Sequence, residues 1–152
     1  MRVINGLDEL ESLAGVELGA SEWFAVTQDM VTQFSELTGD HQWIHLDVDR
    51  ARTELLFGGT IVQGFFTLSL VPRFSKEIVE IRGVSRLINY GVNHVRFPAA
   101  VPIPARLRGV QQVLSTERAG TDHVRMVSKF VIEREGQAKP VCVAETVTLA
   151  YG

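Results

Sequence analysis

Apolar and polar positions along the chain change rhythm once, near Gly83. Before that point apolar residues recur at helical spacing; after it they alternate. Leu7 to Ala14 carries spaced leucines and predicts a short helix, ended by Gly15-Val16-Glu17-Leu18-Gly19. Glu22 to Val26 predicts a short strand. Thr27 is a good N-cap residue, and Asp29 in the first turn suits the positive end of a helix. Met30, Phe34 and Leu37 follow at i, i+4, i+7 and form one apolar stripe. Gly39 stands where a C′ glycine stops such a helix, so Asp40 leaves it at its negative end. Asp47 is the next N-cap, and Phe57-Gly58-Gly59-Thr60 breaks the helix it starts. Ile61 to Val71 is apolar nearly all round, which predicts a helix buried on most sides, kinked or shortened by Pro72.

Beyond Gly83, Ile88, Tyr90 and Val92 share one strand face, while Val95 and Phe97 continue on the other parity, so a bulge is expected near Asn93. Pro98 to Pro104 is a connection. Arg106 to Leu114, Val124 to Ile132 and Val141 to Tyr151 are three further strands, separated by turns at Ala119-Gly120-Thr121 and Glu135-Gly136-Gln137. Short turns between long strands mean antiparallel hairpins. The fold class is α+β: a buried helix in the front half and a curled antiparallel sheet in the back half.

Composition narrows the function. The 152 residues suit one domain, residues 1–152, and a 45% apolar share suits a globular core. A net charge of −3 leaves no broad basic surface for nucleic acid. No apolar run approaches the ~20 residues that cross a bilayer, and the N-terminal stretch lacks the apolar centre of a signal peptide. No membrane association and a cytoplasmic location are expected. The single cysteine, Cys142, flanked by Val141 and Val143, predicts a buried inert thiol in a strand.

Titratable chemistry concentrates in Thr38-Gly39-Asp40-His41-Gln42-Trp43-Ile44-His45-Leu46-Asp47. Asp40 and His45 bracket a tight loop between two helices, close enough to converge on one small molecule. Asp47 is assigned to capping and His41 to solvent. Asp40, His41, His45 and Asp47 match no metal-ligand spacing, so no metal site is expected.

Phe34-Ser35-Glu36-Leu37-Thr38-Gly39-Asp40-His41-Gln42-Trp43-Ile44-His45, with Ala51 beyond it, resembles the signature of the MaoC-like (R)-specific enoyl-CoA hydratases. Phe57 to Phe65 resembles the family's glycine-rich approach to its central helix, and Asn93-His94-Val95-Arg96-Phe97-Pro98 its strand and loop. The wording is most like the single-domain actinobacterial, nodulation-protein-N-like subgroup. Two positions depart from the family pattern: Gln42-Trp43 replaces Asn-Pro, and Gln63 replaces the histidine before the helix glycine.

The resemblance implies a hot-dog fold, an antiparallel sheet wrapped around one long helix, working as a homodimer with the site near the subunit interface. It implies reversible syn addition of water to a trans-2-enoyl-CoA, giving the (3R)-3-hydroxyacyl-CoA. Coenzyme A is then part of the substrate, and no separate cofactor is expected. Such a reaction needs a base for water, a proton for C2 and a donor for the enolate oxygen. Asp40 and His45 supply the acid–base pair, with His45 favoured as base. The backbone N–H of Gly64, at the start of the buried helix, is the oxyanion donor. Gly59, Ile61, Gln63, Trp43 and Arg96 are the further expected substrate contacts, and Phe65, Phe66, Leu68 and Leu70 are core positions, some facing an acyl tunnel. Arg73, Lys76 and Arg86, with Arg96, are candidates for the phosphates of coenzyme A. A hot-dog thioesterase and a non-catalytic acyl-thioester binding subunit are the alternatives.

Overall fold

The computed structural model describes residues 1–152. In chain order the elements are β1 Arg2–Asn5, α1 Gly6–Glu11, β2 Glu17–Ala20, β3 Phe24–Val26, α2 Gln28–Thr38, α3 Trp43–Leu46, α4 Val48–Glu54, α5 Gly64–Ser69, α6 Val71–Ile78, β4 Val79–Arg82, β5 Arg86–Arg96, β6 Ala105–Ala119, β7 His123–Arg134 and β8 Cys142–Tyr151. A six-stranded sheet runs β2-β6-β7-β8-β5, with β3 also paired to β6. All its pairings are antiparallel. It curls around the helical segment α5–α6, as the hot-dog expectation requires. No helix is long and apolar enough to cross a membrane.

The helix signals held where they rest on local chemistry. Thr27 is the extended residue before α2, although its hydroxyl makes no capping bond. Gly39 ends α2 in the left-handed region, φ 74°, and donates its N–H to the Ser35 carbonyl at 2.8 Å. An L side chain rarely adopts that φ, which is why glycine stands there. The expected stripe holds in part: Met30 and Phe34 are partly buried and pack against the core, but Leu37 does not. Val31 and Ser35 are the buried positions, and Leu37 is 82% exposed. The physical reason is polar: the buried Gln63 amide donates to the Val31 carbonyl (3.2 Å) and to Ser35 Oγ (2.8 Å), and so selects the face that docks.

The central helix also differs from the single run expected over Ile61–Val71. Ile61 and Val62 are extended, because Val62 N–H bonds the Val101 carbonyl (2.9 Å) and Ile61 N–H the Ile44 carbonyl (3.0 Å). The helix starts at Gly64, breaks at Leu70 and continues to Ile78. Pro72 has no N–H for the Leu68 carbonyl, which accounts for the break. Phe66, Leu70, Val71, Phe74 and Ile78 are buried in the core, but Phe65, assigned to it, is 72% exposed. Its ring instead meets Phe97 edge to face at 6.1 Å, beside the sheet edge.

Strand β5 forms that edge. It pairs only with β8, and its register slips between Asn89 and Gly91 and between Val92 and His94, the second slip being the bulge expected at Asn93. Leu87, Ile88, Tyr90 and Val92 are exposed along it. Two short strands, β1 and β2, carry no strand signal in the sequence. β1 pairs in parallel with β4 and buries Ile4 completely, while β2 is recruited by β6. Arg106 and Arg108 on β6 form ion pairs with Glu135 (3.0 Å) and Glu133 (2.8 Å).

Candidate active site

The segment between α2 and α4 is not a plain loop. Its second half winds into one turn, α3, held by the Asp47 N–H on the Trp43 carbonyl (2.9 Å). Asp47 then caps α4, its Oδ1 accepting from the Arg50 N–H at 3.0 Å, as expected. His41 lies in solvent beside Glu36, 3.3 Å away, also as expected. The turn swings His45 inward until it is only 5% exposed, whereas the Asp40 side chain stays 36% exposed at the rim. Nε2 of His45 and Oδ2 of Asp40 face each other at 3.8 Å. That gap is too long for a direct hydrogen bond and short enough for one water to bond both groups.

The other ring nitrogen determines the proton inventory. Nδ1 of His45 is 2.7 Å from the Ile61 carbonyl oxygen. A carbonyl only accepts, so Nδ1 carries the hydrogen and donates it to Ile61, and Nε2 is the ring nitrogen turned toward Asp40. The backbone of His45 is held as well. Gln28 Nε2 donates to the His45 carbonyl (2.8 Å), while Gln28 Oε1 accepts from Thr60 Oγ1 (2.6 Å). Sequence reasoning missed Gln28 and Thr60. Neither carries a motif, and their link spans the gap between α2 and the glycine-rich turn.

Asp40 is aimed by the residue that departs from the family pattern. Gln42 Nε2 donates to Asp40 Oδ1 at 3.3 Å, leaving Oδ2 for the His45 side. The Trp43 side chain lies against α4. Its ring is capped by the Arg50 guanidinium, 3.9 Å from the ring centre, which ties α3 to α4.

Gly64 opens α5, where the first N–H groups have no partner within the helix. A Cβ on it would come within 2.9 Å of the Phe97 ring, so any larger residue must displace that ring. Gln63, just before it, is 2% exposed; its amide nitrogen is bonded to α2 and its Oε1 has no partner. The Ile61 carbonyl is the acceptor for His45 Nδ1. Gly59 lies in the turn near the Ile103 carbonyl. Arg96 is exposed and donates to the Val95 carbonyl (2.7 Å). Of the other phosphate candidates, Arg73 pairs with Glu77 (3.5 Å) and stacks on Phe24, Arg86 stacks on Tyr151, and Lys76 makes no ion pair. No three His, Cys, Asp or Glu side chains converge as a metal site would require. Burial raises the Cys142 thiol to about 11, so it is protonated and unreactive near neutral pH.

A cavity of about 350 Å³ lies between α5–α6 and the concave face of β5, β7 and β8. Neither Asp40 nor His45 lines it; its near end is Leu68, one turn beyond Gly64. Its walls are mixed, with Val92, Met126 and Phe130 beside Ser75, Gln111 and Thr146.

A curled sheet around a central helix defines a hot-dog protein, and the Asp40 carboxyl group and the buried His45 imidazole, 3.8 Å apart, are spaced to share one water of the kind that acid–base hydration or dehydration needs. The family model described as MaoC like domain matches residues 9–136, and the chain belongs to that family of dehydratases. It is similar over 147 residues to 3-hydroxyacyl-thioester dehydratase Z of Mycobacterium tuberculosis, 43% identical and covering 97% of each chain. It is 39% identical over 147 residues to Nodulation protein N of Rhizobium meliloti, covering 95% of this chain and 90% of that one. Among solved structures it resembles R-hydratase PhaJ1 from Pseudomonas aeruginosa, with a TM-score of 0.68, 22% identity and coverage of 90% and 81% of the two chains.

Proposed function

We propose that the protein is an (R)-specific enoyl-CoA hydratase, adding water reversibly to trans-2-enoyl-CoA to give the (3R)-3-hydroxyacyl-CoA. The observation that carries the reading is the pair geometry: Nδ1–H of His45 is committed to Ile61, and Nε2 faces Asp40 Oδ2 across 3.8 Å. A water in that gap gives a proton to Nε2 as its oxygen attacks C3. The pair passes that proton on to C2 on the same face, which makes the addition syn. The thioester oxygen, carrying the enolate charge, accepts the Gly64 N–H. The acyl chain passes Leu68 into the cavity under the helix, and coenzyme A remains outside.

The working unit in this proposal is a homodimer joined through β5. An 11-residue edge strand with unpaired backbone groups and exposed Leu87, Ile88, Tyr90 and Val92 is a pairing surface unless something covers it. A second copy on that edge also covers Phe65 and Phe97, which flank Gly64.

Crotonyl-CoA tests the reaction. Loss of enoyl absorbance without free thiol, with the (3R) product on chiral analysis, is the expected result. Release of free thiol would replace this reading with a thioesterase.

A further inference from the structure

The cavity has a polar floor that a plain acyl chain does not need. Gln111, on β6, is 1% exposed, yet it lines the cavity. Its Oε1 accepts from Ser75 Oγ on α6 at 3.3 Å, and its Nε2 donates to Ser128 Oγ on β7, also at 3.3 Å. Both bonds are long, and an amide has two donors and two acceptor sites. One N–H and one lone pair of Gln111 are therefore left over, and the Ser128 hydroxyl has its own hydrogen to place. Thr146 and Thr148 add further hydroxyls to the same wall.

We propose that this floor selects an acyl chain bearing an uncharged oxygen substituent, a hydroxyl, distant from the thioester. The proposal rests on the hydratase reading, since it assigns the cavity to the acyl chain, and it deepens that reading by naming the substrate class. The oxygen is uncharged because the floor is: the lining's one charged residue, Lys76, is exposed at the far end. A hydroxyl accepts the spare Gln111 N–H and donates to the spare Oε1 lone pair. A methyl terminus pressed there strips water from those groups and returns nothing, which disfavours the plain chain. A purely structural Gln111, tying α6 to the sheet through Ser75, predicts no such discrimination.

The test is a binding comparison that needs no turnover. Saturated acyl-CoA thioesters, from six to fourteen carbons, are titrated calorimetrically in pairs of equal length with and without a terminal hydroxyl. The expected result is one length window in which the hydroxylated ligand binds about tenfold tighter, the value of one good hydrogen bond. Gln111→Met, close in volume, removes the spare donor and acceptor and is expected to invert that preference. Ser75→Ala, a milder change, is expected to weaken it; melting curves establish that both variants are folded. Equal affinities at every length, or a preference that survives Gln111→Met, would overturn the proposal. Tighter binding of a terminal carboxylate than of the hydroxyl would overturn it in favour of Lys76. Crotonyl-CoA turnover, measured in parallel, reports on the hydratase reading by itself, so the two failures are distinguishable.

Discussion

Gly64→Ala places one methyl group where the structure has least room for it. The added Cβ lies 2.9 Å from Phe97 Cδ2 and 3.0 Å from Cε2 and Cγ, so the ring meets it broadside and must move as a whole. Overpacking of this kind costs roughly 1–3 kcal/mol. At roughly 2–4 °C per kcal/mol for a chain of this size, the melting temperature falls by about 2–12 °C. The functional loss is separable from that. If the Gly64 N–H holds the enolate oxygen, displacing it costs about 10²–10³ in kcat, the usual value of one oxyanion donor. The assay is a double-mutant cycle with Phe97→Ala, following crotonyl-CoA hydration and thermal melting together. Phe97 is 40% exposed, so its truncation alone is mild, and the double variant regains stability and part of kcat. A Gly64→Ala enzyme with wild-type kcat would refute the oxyanion assignment. A stability loss that Phe97→Ala fails to relieve would refute the steric argument.

Other consequences follow from particular contacts. Gln28→Leu leaves the His45 carbonyl and the Thr60 hydroxyl without their partner, which costs about 1–3 kcal/mol and lowers kcat more than tenfold at nearly constant KM, as steady-state kinetics and melting will report. Ile88→Lys with Tyr90→Lys sets charge along the β5 edge, and on the proposed dimer sedimentation equilibrium is expected to give dimer for the unaltered protein and monomer for the variant. Cys142 yields a pH dependence. Its folded thiol is held at about 11 against an unfolded value of 9.0, so the folded state binds the proton more tightly. That contribution is complete below pH 9 and is lost as pH rises through 11, roughly 1.4 kcal/mol per unit in between. Urea unfolding at pH 8 and pH 10.5, referenced to Cys142→Ala, measures it; parallel losses in the two proteins would contradict it.

What was legible in the sequence is what neighbouring residues dictate. Gly39 stopping α2, Asp47 capping α4, the bulge at Asn93 and the tight turn between β6 and β7 all rest on chemistry within a few positions. Asp40, His45 and Gly64 were legible for a related reason: the motif packs them into short stretches at helix ends. The misreadings involve partners distant in sequence. Met30 and Phe34 do pack against the core, but Leu37 is exposed, and the most deeply buried positions of the helix are Val31 and Ser35, which the Gln63 amide bonds. Ile61 looks helical by composition, yet Ile44 and Val101 draw its backbone, and that of Val62, into extended pairing. Gln28 with Thr60, and Gln111 with Ser75 and Ser128, are ordinary polar residues until the fold joins them.

The central claim is that Asp40 and His45 act as one water-activating unit. Its most direct measurement is kcat/KM for crotonyl-CoA hydration in Asp40→Asn, His45→Gln and the double variant, with circular dichroism showing each folded. Each single change is predicted to cost about 10²–10⁴, and the double change little more than the worse single one, because the two groups serve the same water. Folded single variants that both keep near-native kcat/KM would contradict the claim.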